Sequence, residues 1–329
     1  MGRRIKGRKV DGWLILDKPV GMTSTEAVAR VKRLFGAAKA GHAGTLDPLA
    51  SGCLPVALGE ATKTVANVMD GRKLYRFTVR WGVETTTDDT EGAGAATSDR
   101  RPSPDEIRAL LSEFTGDVLQ VPPRFSAVKI AGERAYDLAR EGAPVELVAR
   151  VIAVHRLELI ECPDPDHAVF LAECGKGAYV RALARDMGRR LGVYGHVVAL
   201  RRLAVGPFGE THMISLEKLE ELSHKAGASG GALAREALYS VATALDGIPA
   251  LAMTERDAAR LRRGQAVILR GRDAPVMSGP AYAISGGVPV ALGEVDKGAF
   301  NPRRVFNLSE SRERPGTGED TRMTDVDHR

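Results

Sequence analysis

The order of apolar and polar residues predicts several strands in the first half of the chain. In residues 74–81, LYRFTVRW, apolar and polar side chains alternate, which is typical of a strand with one buried face. A short apolar run at residues 13–17, WLILD, predicts another strand near the N-terminus. Further strand-like runs lie near residues 145–160 and 168–174.

Two amphipathic segments carry clear signals for the start of a helix. The first is predicted to begin after Thr23, which forms a capping box with Glu26, and to end at Gly36. The second is predicted to begin after Ser103, with a proline in its first turn and Glu106 completing a second capping box. Both helices therefore have starts that local sequence alone specifies.

A third amphipathic helix is predicted over residues 178–191. Its polar side carries Arg181, Arg185 and Arg189, spaced four residues apart on one face. Three neighbouring cations repel one another unless water, acids or phosphates surround them. The pattern by itself favours a solvated face, with phosphate binding as the alternative.

Composition divides the chain into parts of different character. These are a flexible basic arm at 1–11, a main unit at 12–246, a β-rich appendage at 247–307 and a disordered tail at 308–329. Within the main unit, residues 84–101 are predicted to form an exposed loop carrying five acids. Residues 222–235 are glycine-rich and are predicted to form an insertion or linker.

Length and charge narrow the class of protein. A chain of 329 residues is too long for one small domain, and 43% hydrophobic with 27% charged residues is typical of a globular protein. The net charge of +5 favours an anionic partner. Three cysteines without metal-ligand spacing indicate a reducing compartment, and no signal peptide or membrane span is recognisable. We therefore expect a soluble, cytoplasmic protein without a metal site.

One loop concentrates candidate chemistry. In GHAGTLDPLASG, residues 41–52, Asp47 is the single acid and precedes Pro48. Proline disfavours helical geometry in the preceding residue, so the carboxylate is predicted to point outward from a turn. Most Asp-Pro pairs simply start turns, and the interest of this one lies in its neighbours.

Those neighbours are similar to a known family. The blocks that carry the resemblance are GWLILDKPVGMTS, GHAGTLDPLASGCLPVALGEATK, KLYRF, TTTDDTEG, QVPPRFSAVKIAGERAYDLAREG, CGKGAYVRALARDMG and HVVALRRLAVGPF. They follow one another in the order found in the bacterial tRNA pseudouridine synthases of the TruB type, over about residues 12–208. The chain is identified as resembling that family.

The resemblance implies a fold and a reaction. The implied fold is α+β, with a central, mainly antiparallel sheet flanked by helices and a small β-rich, PUA-like C-terminal domain that binds RNA. The implied reaction detaches uracil from uridine 55 in the T loop of tRNA, turns it, and rejoins it through C5. It needs no metal or redox cofactor, and the family suggests a monomer acting without a guide RNA or an obligate protein partner.

The resemblance also assigns catalytic residues. Asp47 occupies the position of the essential aspartate, and three routes stay open: attack on the base, attack on C1′, or removal of a C2′ proton. Arg181 matches the arginine that pairs with this acid. Tyr179 matches a residue proposed to handle the C5 proton, and Tyr75 matches the residue that stacks on the target base. Without the resemblance, both tyrosines would be interpreted as packing residues.

Further matched positions are predicted to contact substrate. His42 matches a histidine near the flipped nucleotide, and Leu200 matches an apolar pocket residue. The matched cations are Lys18, Lys129, Arg201 and Arg202, with phosphate contact or a structural role as alternatives.

The chain departs from the family at Phe125, Gly175 and Ala178, where tyrosine, serine and threonine are usual, so the fine hydrogen bonding of the pocket is expected to differ from that of the family. Two other classes stay open, namely a guide-RNA-dependent synthase of the dyskerin group and a non-catalytic RNA-binding module or tRNA-folding helper. An RNA-binding module or folding helper would keep the basic surface without needing Asp47, Tyr179 and Arg181 together.

Overall fold

The computed structural model describes residues 7–126, 129–130, 133–134, 147–226, 230–270 and 277–308. The chain forms two compact units, and the boundary between them along the sequence falls between Ile248 and Pro249. Parts of the predicted basic arm, residues 1–6, and of the predicted tail, residues 309–329, lie outside the described residues.

The first unit is built on a large sheet. The described strands of this unit are β1 (Gly12–Lys18), β2 (Ala40–His42), β3 (Ala50–Leu58), β4 (Lys73–Trp81), β5 (Val83–Thr85), β6 (Gly94–Thr97), β7 (Gly116–Gln120), β8 (Lys129–Ile130), β9 (Glu133–Arg134), β10 (Arg150–Asp164), β11 (His167–Cys174), β12 (Gly195–Val205) and β13 (Ile214–Ser215). They include two short pairs, β5–β6 and β8–β9, that lie outside the large sheet. Within the described residues, nine of these strands pair in the order β13-β1-β3-β12-β4-β11-β10-β7, with β2 added beside β3. The pairs β1–β13 and β3–β12 are parallel and the other pairs are antiparallel. The predicted central, mainly antiparallel sheet is confirmed.

Three of the first unit's helices correspond to helices predicted from the sequence, and the other described helices do not. They are α1 (Ser24–Phe35), α2 (Val65–Asp70), α3 (Pro104–Leu110), α4 (Val180–Leu191), α5 (Leu216–Ala226) and α6 (Gly230–Ala237). Both predicted capping boxes are present, at Thr23 before α1 and at Ser103 before α3. Gly36 ends α1 with φ 57°, a left-handed conformation that glycine adopts without steric cost.

Two hydrophobic clusters hold the sheet and helices together. Phe77, Val79 and Trp81 of β4 are at most 1% exposed, as the alternation in residues 74–81 predicts. They belong to a cluster that also includes the buried faces of α3 and α4. A second cluster joins β1 and β3 to α1, α5 and α6. The helices therefore bury their apolar stripes against the sheet.

Three predictions about the surface are wrong. Residues 84–101 are not an exposed acidic loop, because Glu84, Asp88 and Asp89 are at most 9% exposed. The linker alternative for residues 222–235 is wrong, since α5 and α6 occupy the two ends of this segment and bury Leu222 and Leu233; residues 227–229 lie outside the described part of the chain. Residues 7–11 are not a free arm, because this segment hydrogen-bonds to the main chain at residues 36–38.

The second unit is small and β-rich. It contains β14 (Ala250–Ala252), α7 (Glu255–Arg262), β15 (Val267–Ile268), β16 (Gly279–Ser285), β17 (Val288–Asp296) and β18 (Ala299–Val305). Its strands pair in the order β14-β16-β17-β18-β15 around a core that includes Leu261 and Phe300. Among the helices of the described residues, none combines the length and apolar character needed to cross a membrane.

Candidate active site

Asp47 lies on a short loop between β2 and β3 that neighbouring residues hold in place. The buried Ser24 hydroxyl accepts a hydrogen bond from the Leu46 amide at 2.8 Å and donates one to the Leu46 carbonyl at 3.0 Å. The amide of Gly21 donates to the carbonyl of Pro48 at 2.8 Å. The backbone on both sides of Asp47 is therefore fixed, while its own side chain stays 40% exposed.

Arg202 holds the same loop from within the protein. Its guanidinium donates to the carbonyls of Gly44 at 3.0 Å, Thr45 at 3.3 Å and Cys53 at 2.8 Å. The residue is only 1% exposed, so the prediction that Arg202 reaches RNA phosphates is wrong. A buried guanidinium satisfies several carbonyls at once, and this geometry gives Arg202 a structural role.

Gly52 allows β3 and β12 to approach each other behind the loop. It has φ +98°, and a Cβ atom on it would lie 2.2 Å from the carbonyl oxygen of Arg202. A side chain at this position would push β3 and β12 apart. The glycine is therefore required by close backbone approach.

Arg181, in the first turn of α4, connects Asp47 to a second aspartate. Its guanidinium lies 2.8 Å from the carboxylate of Asp47 and 3.2 Å from that of Asp89. It also donates to the carbonyls of Thr87 at 3.0 Å and Phe125 at 2.9 Å. With its side chain only 8% exposed, Arg181 supplies a buried positive charge beside the exposed edge of Asp47.

Tyr179 precedes α4 and is fixed through its backbone. The side-chain amide of Gln120 accepts a hydrogen bond from the Tyr179 amide at 2.9 Å and donates to the Tyr179 carbonyl at 3.1 Å. Burial raises the pKa of the Tyr179 phenol, so the hydroxyl is protonated at neutral pH. Asp47 and Arg181 are among the charges that act on this phenol.

The structure brings the other predicted aromatic and apolar residues to neighbouring strands. Tyr75 is half-buried on β4 and pairs in register with Arg202 on β12. Burial raises the pKa of Tyr75, and the charges of Arg202 and Asp47 both act on it. Leu200 is half-buried and contacts both hydrophobic clusters. The positions of Tyr75 and Leu200 are compatible both with packing and with substrate contact.

Lys18 is a buried cation near Asp47. Its ammonium donates to the carbonyls of Pro19 and Met22, both at 2.8 Å. Burial lowers the pKa of Lys18 to about 8, against the opposing influence of Asp47. Because Lys18 is 0% exposed, the predicted RNA contact is wrong and the structural alternative is the one that the geometry supports.

The remaining predicted contacts differ in their accessibility. His42 ends β2 and is half-buried, and burial together with the charge of Arg202 lowers its pKa. The imidazole is therefore neutral at pH 7. Arg201 is 36% exposed and is bound to Asp17 at 2.8 Å and 3.0 Å. The side chain of Lys129 lies outside the described residues.

The other two arginines of the predicted stripe on α4 form ion pairs with acids from the segment that the sequence predicts to be an exposed loop. Arg185 is 7% exposed and contacts Asp88 at 3.0 Å and Asp186 at 2.8 Å. Arg189 binds both carboxylate oxygens of Glu84, at 2.6 Å and 2.7 Å. The predicted solvated or RNA-facing position is therefore wrong for Arg185, because acids folded against the helix neutralise it. Arg189 is paired with Glu84, but its side chain is 54% exposed, as the solvated interpretation predicts.

Gln120 and Asp89 are site residues that the motif analysis does not single out. Asp89 lies inside TTTDDTEG, one of the blocks that carry the resemblance, and its place in that block is the sequence signal for it. Gln120 ends β7 and is the first residue of the block QVPPRFSAVKIAGERAYDLAREG, so the resemblance offers the same signal for it. Among the described residues, no group of histidine, cysteine and acidic side chains could hold a metal ion.

The departures at Phe125 and Gly175 leave the main contacts in place. Phe125 contributes its backbone carbonyl to Arg181, and every residue type carries that group. At Gly175 a Cβ atom would lie 3.3 Å from the Cβ of Ala153, so a larger residue would require a small adjustment there. Ala178 is half-buried against the cluster around α4.

Comparison with known proteins shows where this arrangement belongs. Residues 32–180 match the N-terminal domain of TruB family pseudouridylate synthases, and residues 181–246 match the C-terminal domain of tRNA pseudouridylate synthase B. A protein of Bradyrhizobium diazoefficiens named tRNA pseudouridine synthase B is 63% identical over 312 residues, covering 95% of this chain and 90% of that protein. The chain belongs to the TruB family of pseudouridylate synthases. It is therefore an enzyme of the isomerase class.

Other relatives agree with this membership. Proteins with the same name from Rhodopseudomonas palustris and Agrobacterium fabrum are 64% and 56% identical over 92% of this chain, covering 82% and 97% of their own lengths. Among solved structures, a Cbf5–Nop10–Gar1 complex matches with a TM-score of 0.68 and 26% identity, covering 89% of this chain and 84% of that one. An archaeal box H/ACA sRNP Nop10–Cbf5 complex matches with a TM-score of 0.69 and 25% identity, covering 93% and 92%.

Proposed function

We propose that this TruB family member converts uridine 55 in the T loop of tRNA to pseudouridine, with Asp47 as the essential catalytic group. The observation that carries the proposal is the pairing of an accessible carboxylate on a braced loop with a buried guanidinium at 2.8 Å. Relatives that are named tRNA pseudouridine synthase B and align over more than nine tenths of this chain support tRNA as the substrate.

The reaction is an isomerisation, and its atoms balance without a co-reactant. The bond between N1 of uracil and C1′ breaks, a bond between C5 and C1′ forms, C5 loses a proton and N1 gains one. Asp47 serves the step that loosens the glycosidic bond, by attack on the base, attack on C1′ or removal of the C2′ proton. The phenol of Tyr179, next to Arg181 at the start of α4, is proposed to take part in the exchange of the C5 proton.

The target nucleotide must leave its stack to reach Asp47. Flipping a nucleotide costs a few kcal/mol, which stacking on an aromatic ring offsets by about 1 to 3 kcal/mol. Tyr75 on β4 is the ring proposed for this contact, and His42 is proposed to occupy the space next to the flipped nucleotide. Arg201, half-exposed beside Asp17, is proposed to contact the RNA backbone.

We further propose that the enzyme acts alone, as a cytoplasmic monomer without a cofactor. The matched Cbf5 structures are complexes with other proteins, but their identity to this chain is 25% to 26%, against 63% for the Bradyrhizobium protein. The small β-rich unit that follows Ile248 is proposed to be a PUA-like RNA-binding domain. A guide-dependent synthase or a tRNA-folding helper are the competing functions.

One assay separates these three functions. Purified protein is mixed with an unmodified tRNA transcript tritiated at uracil C5, with no other RNA or protein, and tritium release and the modified position are measured. We expect stoichiometric release and pseudouridine at position 55 alone. Binding without release would favour the helper, and release only after addition of guide RNA would favour the guide-dependent class.

An Asp47→Asn variant tests the catalytic group. It preserves the size of the side chain and removes its charge, so we expect no detectable product and tRNA affinity within a few-fold of the unaltered protein. Asp105→Asn is the matched control, because the Asp105 side chain is 93% exposed on α3. Product formation by Asp47→Asn at the normal rate would refute the assignment.

A further inference from the structure

A group of cations lies between the end of α1 and the start of β2, close to the catalytic loop in sequence. Lys32 and Arg33 occupy the last turn of α1, and Lys39 immediately precedes β2. All three side chains are exposed. The segment before β1 adds Arg8, whose amide donates to the Gly36 carbonyl at 2.7 Å and whose exposed side chain lies against that glycine.

The first three cations lack the carboxylate partners that are common elsewhere in the same unit. Within the part of the chain that the structure describes, Lys32, Arg33 and Lys39 form no ion pair. Exposed arginines on other surfaces pair with acids, as in Arg72–Glu173, Arg76–Glu161, Arg108–Asp105, Arg156–Glu158 and Arg190–Glu113. An exposed cluster of one charge sign without counter-charges attracts a polyanion and contributes to its capture.

The backbone fixes this cluster relative to the active site. The carbonyl of Lys39 accepts a hydrogen bond from the Gly59 amide at 3.0 Å, and β2 then pairs along β3 as far as His42. At the rise of an extended strand, the Cα atoms of Lys39 and His42 are about 10 Å apart. His42 in turn stands five residues before Asp47. Asp47 adjoins the Ala50 end of β3 and Lys39 adjoins its Leu58 end, so the cluster lies roughly one strand length, about 26 Å, from the catalytic loop. A base-paired stem that adjoins the target loop can span such a distance.

Helix stabilisation accounts for only part of this arrangement. Cations in the last turn of a helix interact favourably with its dipole, which explains Lys32 and Arg33. Lys39 lies beyond the helix, and Arg8 comes from a separate segment. A surface that collects cations from three segments is better explained by an external anion.

We propose that Lys32, Arg33, Lys39 and Arg8 form a phosphate-binding surface for the base-paired stem adjoining the loop that holds the target uridine. This inference rests on the proposed function, since it assumes that a structured RNA occupies the catalytic loop. The contacts are to the sugar-phosphate backbone and position the RNA without reading its sequence. They act on binding, because none of the four residues contacts Asp47.

The test uses a triple variant, Lys32→Gln, Arg33→Gln and Lys39→Gln, in the full chain. We expect its affinity for unmodified tRNA to fall roughly 10- to 100-fold and the slope of log affinity against log salt to become shallower by about 2 to 3. The single-turnover rate at saturating tRNA should stay unchanged. Equal affinity and equal slope for the two proteins would overturn the proposal.

Two matched variants control for charge and folding. Removing the same number of charges with Arg108→Gln, Arg156→Gln and Arg190→Gln should leave the salt slope nearly unaltered; an equal loss there would show that total charge, and not this surface, governs binding. The charge-conserving Lys32→Arg, Arg33→Lys and Lys39→Arg variant should bind like the unaltered protein. Its weakened binding would contradict a phosphate surface.

A stem-length series locates the contact. T-arm hairpins with a full stem and with a stem cut to two base pairs are compared for the unaltered and triple-Gln proteins. We expect a large affinity ratio with the full stem and a ratio near one with the short stem; equal ratios would rule out the stem as the partner. If the unaltered protein makes no pseudouridine in tRNA, the proposed function fails, whereas normal activity with an unchanged triple variant refutes this surface alone.

Discussion

Arg181 is the shared partner of two aspartates that approach it from different segments, Asp47 at 2.8 Å and Asp89 at 3.2 Å. Two backbone carbonyls, of Thr87 and Phe125, occupy other donors of the same guanidinium. A planar group with five donors can satisfy all four partners at fixed angles, whereas an ammonium cannot. The position of the Asp47 carboxylate therefore depends on the shape of this cation as well as on its charge.

Replacing Arg181 with lysine tests that dependence. The charge remains, but Asp47 is no longer held in one position, and misplacement of a reacting group by about 1 Å can cost about 100-fold in rate. We expect the single-turnover rate to fall about 100-fold with tRNA affinity within a few-fold. Arg190→Lys, at an exposed pair with Glu113, is the control that should retain full activity. An Arg181→Lys enzyme with a normal rate would show that charge alone suffices.

Tyr179→Phe isolates a single hydroxyl. Because Gln120 holds the backbone of Tyr179 through two hydrogen bonds, the phenyl ring should keep its place in the variant. If the phenol handles the C5 proton, its loss should slow tritium release about 100-fold or more, the usual range for general acid-base catalysis. Tyr282→Phe in the second unit is the matched control. An unchanged release rate for Tyr179→Phe would make the hydroxyl dispensable.

The elements that the sequence predicts well are those encoded locally. The capping boxes at Thr23 and Ser103, the glycine that ends α1, and the alternation in β4 each involve residues within one element. Their physical causes are the unpaired backbone amides at the start of a helix and the burial of one face of a strand. Both causes act over three or four residues. The β-rich character of the second unit follows in the same way from glycine turns and short apolar runs.

The buried ion pairs are not predictable by that route. Arg185 and Asp88 are 97 residues apart in sequence, and neither stands in a pattern that identifies the other. A row of arginines and a run of acids each fit a solvated surface when considered separately. Only the pairing of the two segments shows that they neutralise each other, and that pairing depends on the tertiary fold.

The candidate site shows the same division. Asp47 stands out in its loop, and family resemblance links it to Arg181. The burial of Lys18 and Arg202 depends on strands β1 and β12 entering the sheet beside β3, which no local pattern of charge indicates. Arg202, a cation that sequence analysis assigns to RNA, therefore holds the loop that carries Asp47, whereas Lys18 holds the turn between β1 and α1.

Arg202→Met tests the bracing role of this arginine. The change leaves the buried carbonyl of Cys53 and the part-buried carbonyls of Gly44 and Thr45 without their donor, and we expect a loss of about 3 kcal/mol in the free energy of unfolding. Arg201→Met provides the contrast. Its pair with Asp17 is about one third exposed and should contribute less than about 1 kcal/mol. Urea unfolding measures both values, and equal losses would contradict a special role for Arg202.

Asp88 gives the protein a pH dependence of unusual sign. Burial raises the pKa of this carboxyl from 3.8 to about 6, although the charges of Arg185 and Arg181 oppose the shift. Glu84 adds to the increase and Arg189 reduces it. The native state therefore binds the Asp88 proton more tightly than the unfolded chain does, and between pH 4 and pH 6 this group makes stability fall as pH rises.

Asp88→Asn should remove that contribution while keeping a hydrogen-bond acceptor for Arg185. A shift of about two pKa units corresponds to about 3 kcal/mol, fully present below about pH 4 and lost as pH rises through about 6. We therefore expect the difference in unfolding free energy, unaltered protein minus Asp88→Asn, to decrease by about 3 kcal/mol from pH 4 to pH 7. Asp105→Asn, at a side chain that is 93% exposed, is the surface control measured over the same pH range. A difference for Asp88→Asn that grows with pH would mean that the arginines, and not burial, control this carboxyl.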